Sequence, residues 1–578
     1  MKKCAFLVLL VTFFFGCETD LNKKAKLVIS TESFETMLLV NVVDSKNGQL
    51  IDTEHYDLSN VVLSLTSNDT IEFDSSPYSH AQLWTDLAYE PKTSYLSKSG
   101  SFVLALSQNI PKPTESDPYR INLKVTYQES SNSLMEVSKN VTIKRSGEHL
   151  IEIYTFELDD AGDGIVVASD STGSTSAAGE VVVPVNISVT DPTTGAPSSF
   201  NLSAGAILTT EDGYPLVGKV NTVVGLFNNQ SDESESKSDG SLSSLPGNFL
   251  SSEDENLILT GAMYLDIYDE DEEGISNNHA KNVIDNTKES TSILLIIPSN
   301  TYNTEQNRYI LENDSINIYH LFPGDDSWSY VKRDIVEKDE DYNVLYVQFD
   351  INYTGYWAPA FVSPGTANPS IKVTGNFTSM IFDFSISAPG YIYEFTRSVT
   401  NGEQFQLDDP IPNSMPLIIA VYEQGTSSAL NKIVYEPETS GIIEDTDVFD
   451  LNVELGTYET WVFTAMGICE QSQVQVRPSG VPVYYAKYAD YPDLESLSLR
   501  KYAGVTIDGS ISINDIERDS TYYRFYVDYE DVQENLDMHF TTTDAEFLKF
   551  TDKIISQTTN GTNIYVEVVA PERVCDEF

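Results

Sequence analysis

The feature that most restricts what this chain can fold into is a two-residue alternation of apolar and polar side chains, set in short runs between turn formers. It is strict in Arg120-Ile121-Asn122-Leu123-Lys124-Val125-Thr126-Tyr127, where one face of an extended strand would be apolar and the other polar. Comparable runs span Met37 to Val43, Val61 to Leu65, Phe102 to Leu106, Val181 to Val189 and Val448 to Val453. Between them lie turn clusters such as Asp44-Ser45-Lys46-Asn47-Gly48 and Asp191-Pro192-Thr193-Thr194-Gly195, where Gly, Pro and Asn supply turn geometry. Tyr, Thr, Val and Ile are abundant, as strands favour. Helical periodicity is scarce, and Thr543 to Phe550 is the one stretch that reads as helix. With 40% hydrophobic residues the chain can bury real cores, which excludes global disorder. The expected class is all-β, built as tandem antiparallel β-sandwich domains.

At 578 residues the chain exceeds a single core, since domains usually hold about 100–200 residues. Residues 27–158 read as a first β-sandwich whose strands begin with Leu27-Val28-Ile29. Residues 159–180 break the pattern with Ser169-Asp170-Ser171-Thr172-Gly173-Ser174-Thr175-Ser176, a linker or exposed loop. A large β domain follows over 181–365, interrupted by an acidic, Ser-rich tract from Asn228 to Ser244. Residues 366–455 form a small sandwich and 456–578 a last β domain.

The first seventeen residues carry an address. Lys2 and Lys3 precede an apolar run from Ala5 to Phe15, and Gly16-Cys17 closes it, the pattern of a secretory signal peptide. The run is shorter than the roughly 20 residues a spanning helix needs. Residues 18–26 are polar and suit a tether. Cys4 leaves with the leader, so Cys469 and Cys575 are the cysteines left for pairing if Cys17 is modified. In an oxidising compartment these two are expected to form one disulfide, the alternative being two buried thiols.

Formal net charge is −54. A surface so acidic repels phosphate backbones and anionic headgroups, so no nucleic-acid partner is expected. Catalytic motifs fail on spacing. No two of the 31 glycines lie four apart, which excludes a Gly-x-Ser-x-Gly elbow, and none of the six histidines stands four from another, which excludes a zincin helix. Gly213 to Val220 has the glycines and Lys219 of a phosphate loop, but Val220 replaces the hydroxyl that would hold magnesium. The acidic cluster from Asp266 to Gly274 and the run Asp159 to Gly164 lack EF-hand spacing, and solvation explains them as well as calcium does. We expect no enzymatic activity, no cofactor and no metal site. Tyr484, Tyr485, Tyr522 and Tyr526 lie in stretches with rings on both faces of a strand. They are the candidate ligand-facing aromatics, with core packing and cross-strand pairing as the alternative.

Two resemblances add to this reading. Gly16-Cys17 after the apolar run resembles the lipobox of bacterial lipoproteins, which implies diacylglyceryl modification at Cys17 and an anchor in the cell outer membrane. Glu18 and Asp20 resemble the surface-export signal of such proteins, while Thr19, Lys23 and Lys24 depart from it. The hairpin from Ser203-Ala204-Gly205-Ala206 to Glu211-Asp212-Gly213, the step Leu245-Pro246-Gly247, the strand from Gly261-Ala262-Met263, and Trp328 and Trp357 resemble all-β modules of large Bacteroidetes surface lipoproteins. Residues 366–455 are similar to carboxypeptidase-regulatory-like sandwiches. The resemblance implies fold and location. Our expectation is a non-enzymatic surface lipoprotein acting in adhesion or as a scaffold, a rod held away from the membrane. The alternative is a glycan-binding lipoprotein of a polysaccharide uptake system, and the partner would be a surface protein or a glycan.

Overall fold

The computed structural model describes residues 28–569, apart from 31–34, 52–57, 86–93, 128–134, 158–164, 229–241, 271–275, 285–290, 550–553 and shorter breaks. The signal peptide, Cys17, the tether, Asp159 to Gly164 and Cys575 lie outside the described residues. Among the described residues almost all regular structure is β-strand, the exceptions being one short helix, Pro437–Ser440, and brief 3-10 turns. None of these helices is long and apolar enough to cross a membrane.

The strands assemble into β-sandwiches. In the first, a four-stranded sheet containing Tyr119–Tyr127, Val61–Thr66 and Val137–Ile143 packs on a five-stranded sheet containing Thr36–Asp44, Ser101–Leu106 and Gly147–Thr155. The alternation read in Arg120 to Tyr127 is realised: Ile121, Leu123 and Val125 are buried with Trp84 and Leu63 in one core. The second sandwich pairs a nine-stranded sheet, running from Val181–Val183 at one edge to Ser329–Ile335 at the other, with a five-stranded sheet around Ser292–Ile297. The third stacks a three-stranded sheet, Gln404–Gln406, Ser370–Gly375 and Val448–Val453, on a four-stranded one centred on Ser379–Ala388 and Leu417–Glu423. The fourth sets a five-stranded sheet, with Pro482–Tyr488 and Thr521–Tyr529 inside it, against a six-stranded sheet built on Tyr458–Ile468 and Asn563–Val569.

Pairing is antiparallel with a recurrent exception. In the first sandwich Gly147–Thr155 runs parallel to Thr36–Asp44, in the third Val448–Val453 runs parallel to Ser370–Gly375, and in the fourth Asn563–Val569 runs parallel to Tyr458–Ile468. Each of these domains therefore closes by laying a late strand beside an early one, and the chain enters at one end and leaves at the other. Alternation within single strands cannot reveal this, because parallel and antiparallel neighbours present the same side chains to the core.

Several expectations are corrected. The Ser-rich stretch is no linker: Ile165–Thr175 is an eleven-residue strand, paired antiparallel with Gly218–Phe227 and Val181–Val183. Its Ser and Thr side chains largely face outward while its backbone pairs along most of its length with Gly218–Phe227, so low hydrophobicity did not prevent strand formation. Thr543 to Phe550 is not helical, since Ala545–Lys549 pairs antiparallel with Val532–Phe540. Val28–Ser30 is not in the first sandwich. It pairs in parallel with Gln475–Arg477, so the chain begins its described course in the fourth.

The sandwiches do not form an open rod. Phe156 of the first meets Phe227 of the second edge to face at 5.5 Å, and Ser138 Oγ donates to the Asp325 carbonyl at 2.7 Å. The second and third share one continuous apolar cluster. At their seam Leu259 N donates to the Gly390 carbonyl at 2.9 Å. Gly390 has φ +84°, and a Cβ there would lie 1.9 Å from the Leu259 carbonyl oxygen, so only glycine permits this approach. Lys501 of the fourth pairs with Glu423 of the third, whose other oxygen accepts from Tyr458 Oη at 3.1 Å. The fourth also packs back on the first through Met37, Leu39 and Ala105.

Candidate functional site

The aromatic stretches singled out from sequence pair with each other. Pro482–Tyr488 and Thr521–Tyr529 are antiparallel neighbours, with Tyr484 opposite Tyr526, Tyr485 opposite Phe525 and Tyr488 opposite Tyr522. Tyr485, Tyr523 and Phe525 point into the fourth core, where Trp461 and Phe540 join them, with Trp461 edge-on to Phe540 at 4.8 Å. The opposite face is not solvent. Tyr484, Tyr502 and Tyr526 pack against Met37, Leu39 and Ala105 of the first sandwich. The Tyr484 hydroxyl donates to Asn41 Oδ1 at 2.7 Å and lies 3.1 Å from Ser101 Oγ, while the Tyr502 hydroxyl donates to Glu148 Oε2 at 3.1 Å. Burial pushes the Glu148 carboxyl up, and the hydrogen bonds from Tyr502 and the Val505 backbone oppose it.

The ligand-facing expectation therefore fails for Tyr484, Tyr485 and Tyr526, which are 3%, 3% and 5% exposed. The physical reason is that a strand carrying rings on both faces serves a core with one and a domain contact with the other. Tyr522 is half-buried, stacked between Tyr491 at 5.3 Å and His539 at 4.3 Å. Trp84, Trp328, Trp357 and Trp461 are all fully buried. Asn41, Glu148, Glu423 and Lys501, which hold the domain contacts, escaped the sequence reading. The signal that could have found their neighbourhood was the two-faced aromatic pattern itself.

A cleft of about 780 Å³ opens where the first three sandwiches meet, lined by Val137 to Arg145, by Glu148 to Tyr154, by Leu245 and Phe249, and by Tyr391 to Arg397 with Asp408 and Asp409. Three edge strands, Val137–Ile143, Gly147–Thr155 and Tyr391–Thr400, flank it. Lys139 Nζ donates to the Glu152 carbonyl at 3.0 Å. Burial pushes this ammonium down, opposed by Glu394, Glu152 and Asp409. Burial pushes Asp409 up to about 6; Lys144 and Lys139 oppose the rise and Asp408 adds to it. His149 is pushed down chiefly by burial, its Nε2 lying 3.0 Å from the Arg145 carbonyl. Arg145 Nε stands 3.8 Å from Asp408 Oδ1, and the Arg397 guanidinium lies over the Phe405 ring at 4.2 Å.

These groups link domains more than they prepare a reaction. His149 engages a carbonyl rather than a hydroxyl or thiol, so it is not placed as the base of a nucleophile. Among the described residues no group of three His, Cys, Asp or Glu side chains could hold a metal ion. Asp266 contacts His279 Nδ1 at 2.9 Å, and Asp269 accepts from the Asn278 backbone at 3.1 Å. Gly213 and Gly218 lie in and after a surface turn with φ of +81° and +101°, and Val220 is buried in the strand that follows. Cys469 is buried.

No protein-family model and no curated protein matches the chain. Solved structures with local likeness include a C-terminal fragment of the pilus adhesin SpaC from Lactobacillus rhamnosus GG, at 8% identity over 35% of this chain and 96% of that one, with a TM-score of 0.15. The pilus adhesin RrgA from Streptococcus pneumoniae is similar at 11% identity over 45% of this chain and 33% of that one, TM-score 0.14. The full-length major pilin SpaD from Corynebacterium diphtheriae reaches 93% of this chain and 97% of that one at 10% identity, TM-score 0.14. At such scores the likeness is one of β-rich composition, and neither domain arrangement nor activity follows from it.

Proposed function

We propose that this protein is a non-enzymatic surface lipoprotein, anchored in the outer membrane through Cys17, that acts in adhesion or as a scaffold. The observation that carries the reading is the use made of its aromatic residues. All four tryptophans and Tyr484, Tyr485 and Tyr526 are buried, spent on cores and on the contact that holds the fourth sandwich to the first. A sugar platform needs exposed rings, and these seven do not provide one. The leader with Gly16-Cys17 supports the anchor, and the resemblance of 181–365 and 366–455 to modules of Bacteroidetes surface lipoproteins supports the location. The proposed disulfide joins Cys469 to Cys575.

One observation favours the glycan-binding reading as second choice. Tyr522 is half-buried in a stack with Tyr491 and His539, which leaves ring edges at the surface of the fourth sandwich. A glycan array run beside a pull-down of membrane proteins separates the two. The scaffold reading expects a saturable protein partner and no polysaccharide, and saturable binding to one polysaccharide, abolished by Tyr522→Ala, would replace it. Protease shaving of intact cells tests the location: digestion only after lysis would place the protein on the periplasmic side.

A further inference from the structure

We infer that the fourth sandwich, not the first, faces the membrane, and that the second sandwich is displayed at the far pole. The inference rests on the lipid anchor at Cys17 proposed above. A chain tethered at its N-terminus would be expected to hang from its first domain. Here the first described strand, Val28–Ser30, is instead a strand of the fourth sandwich, in parallel register with Gln475–Arg477: Val28 opposite Gln475, Ile29 opposite Val476, Ser30 opposite Arg477. Only after that strand does the chain cross to Thr36–Asp44 of the first sandwich.

The register fixes where the tether leaves. Because the pairing is parallel, the N-terminal end of Val28–Ser30 lies beside the Gln475 end of its neighbour, next to the turn at Gln471 that precedes it. The eleven Cα-to-Cα steps from Cys17 to Val28 span at most about 40 Å when fully extended. That end of the fourth sandwich therefore cannot stand farther than this from the lipid. The remaining order follows from the contacts. The first and third sandwiches each touch the fourth, through Tyr484 with Asn41 and through Lys501 with Glu423. Both also touch the second, through Phe156 with Phe227 and through Leu259 with Gly390. They lie between the anchored pole and the second sandwich, whose edge strand Ser329–Ile335 exposes Tyr330 and Ile335 at 56% and 47%.

The placement also suits the charge. A net charge of −54 repels an anionic bilayer, so the protein contacts lipid by its tether and not by a docked face. Orientation must then come from how the tether is held, and pairing Val28–Ser30 into a sheet holds it at one defined point.

Energy transfer to the bilayer tests this. The full lipidated chain, carrying a donor dye on an azide-bearing residue at exposed Gln471 or at exposed Asp212 of the second sandwich, is reconstituted into phosphatidylcholine vesicles with a headgroup acceptor. The expected result is transfer severalfold stronger from position 471 than from 212. Equal transfer, or stronger transfer from 212, would overturn the orientation while leaving the anchor intact. Flotation of Cys17→Ser separates the two failures: if that variant floats with vesicles as the wild type does, the anchor is wrong and the orientation falls with it. If it stays in solution, the transfer ratio alone decides.

Discussion

Two seven-residue strands, Pro482–Tyr488 in the fourth sandwich and Ser329–Ile335 in the second, have opposite fates. In the first strand every side chain except Lys487 is buried, on both faces; in the second none is, on either face. Pro482–Tyr488 lies inside its sheet, between Lys501–Val505 and Thr521–Tyr529, and its outer face is covered by another domain. Among the described residues Ser329–Ile335 is the outermost strand of its sheet, pairing there with Ser315–Leu321, and it carries Lys332, Arg333 and Asp334. A sandwich strand ordinarily buries alternate residues. Burial of both sets marks a domain contact, and burial of neither marks an edge that charge protects from pairing.

The comparison sharpens into four variants, and the largest effect belongs to the inward face. Trp461→Ala should lower stability by about 3–5 kcal/mol, the usual cost of an aromatic cavity, read as an earlier urea transition of the fourth sandwich. An effect under about 1 kcal/mol would mean that the ring is not the core residue its burial indicates.

Next comes the junction of the first three sandwiches, through Asp409. Its carboxyl is raised to about 6 by burial, above the unfolded value of about 3.9. The folded state therefore binds the proton more tightly. The stability this gives is fully present below about pH 4 and is lost as pH rises through about 6. His149, pushed down by burial, acts with the opposite sign, costing stability as pH falls below about 6.5. Asp409→Asn removes the first dependence and leaves the second. The variant should exceed wild type by on the order of 2 kcal/mol at pH 7 and match it at pH 4, in paired urea titrations. A gain that is the same at both pH values would contradict the burial of this carboxyl.

Smaller still, Tyr484→Phe leaves Asn41 Oδ1 with one donor fewer at the contact between the fourth and first sandwiches. A loss of about 1–2 kcal/mol is expected. Faster hydrogen exchange should appear in Thr36–Asp44 while Thr521–Tyr529 stays protected, and a uniform change across the molecule would argue against a local contact. Last, Val331→Thr on the exposed edge should change stability by less than about 0.5 kcal/mol. A larger loss in calorimetry would mean that the strand is covered in solution.

The sequence made strands legible wherever one face was apolar, as in Arg120 to Tyr127, because period-two burial is a local property. It misled where burial was set by distant parts of the chain. Ile165–Thr175 looked like a linker because few of its side chains are apolar, yet its backbone pairs along most of its length with Gly218–Phe227 and at its end with Val181–Val183. Val28–Ser30 was assigned to the nearest domain, whereas its partner Gln475–Arg477 lies far along the chain. The parallel closures of the first, third and fourth sandwiches were invisible for the same reason. At the candidate site the aromatic stretches were found, but their role depended on Met37, Leu39 and Asn41, which no local pattern connects to Tyr484 and Tyr526.

The central claim is that the fourth sandwich folds back on the first and closes the chain into one compact body. Small-angle X-ray scattering of the soluble chain from residue 18 onward tests it most directly. A compact body of this length has a radius of gyration of about 25 Å. The account predicts a value near that, with a single-peaked distance distribution that broadens when Tyr484 and Tyr526 are both replaced by Ala. A markedly larger radius in wild type, with the long tail of a string of separate domains and no response to those substitutions, would contradict it.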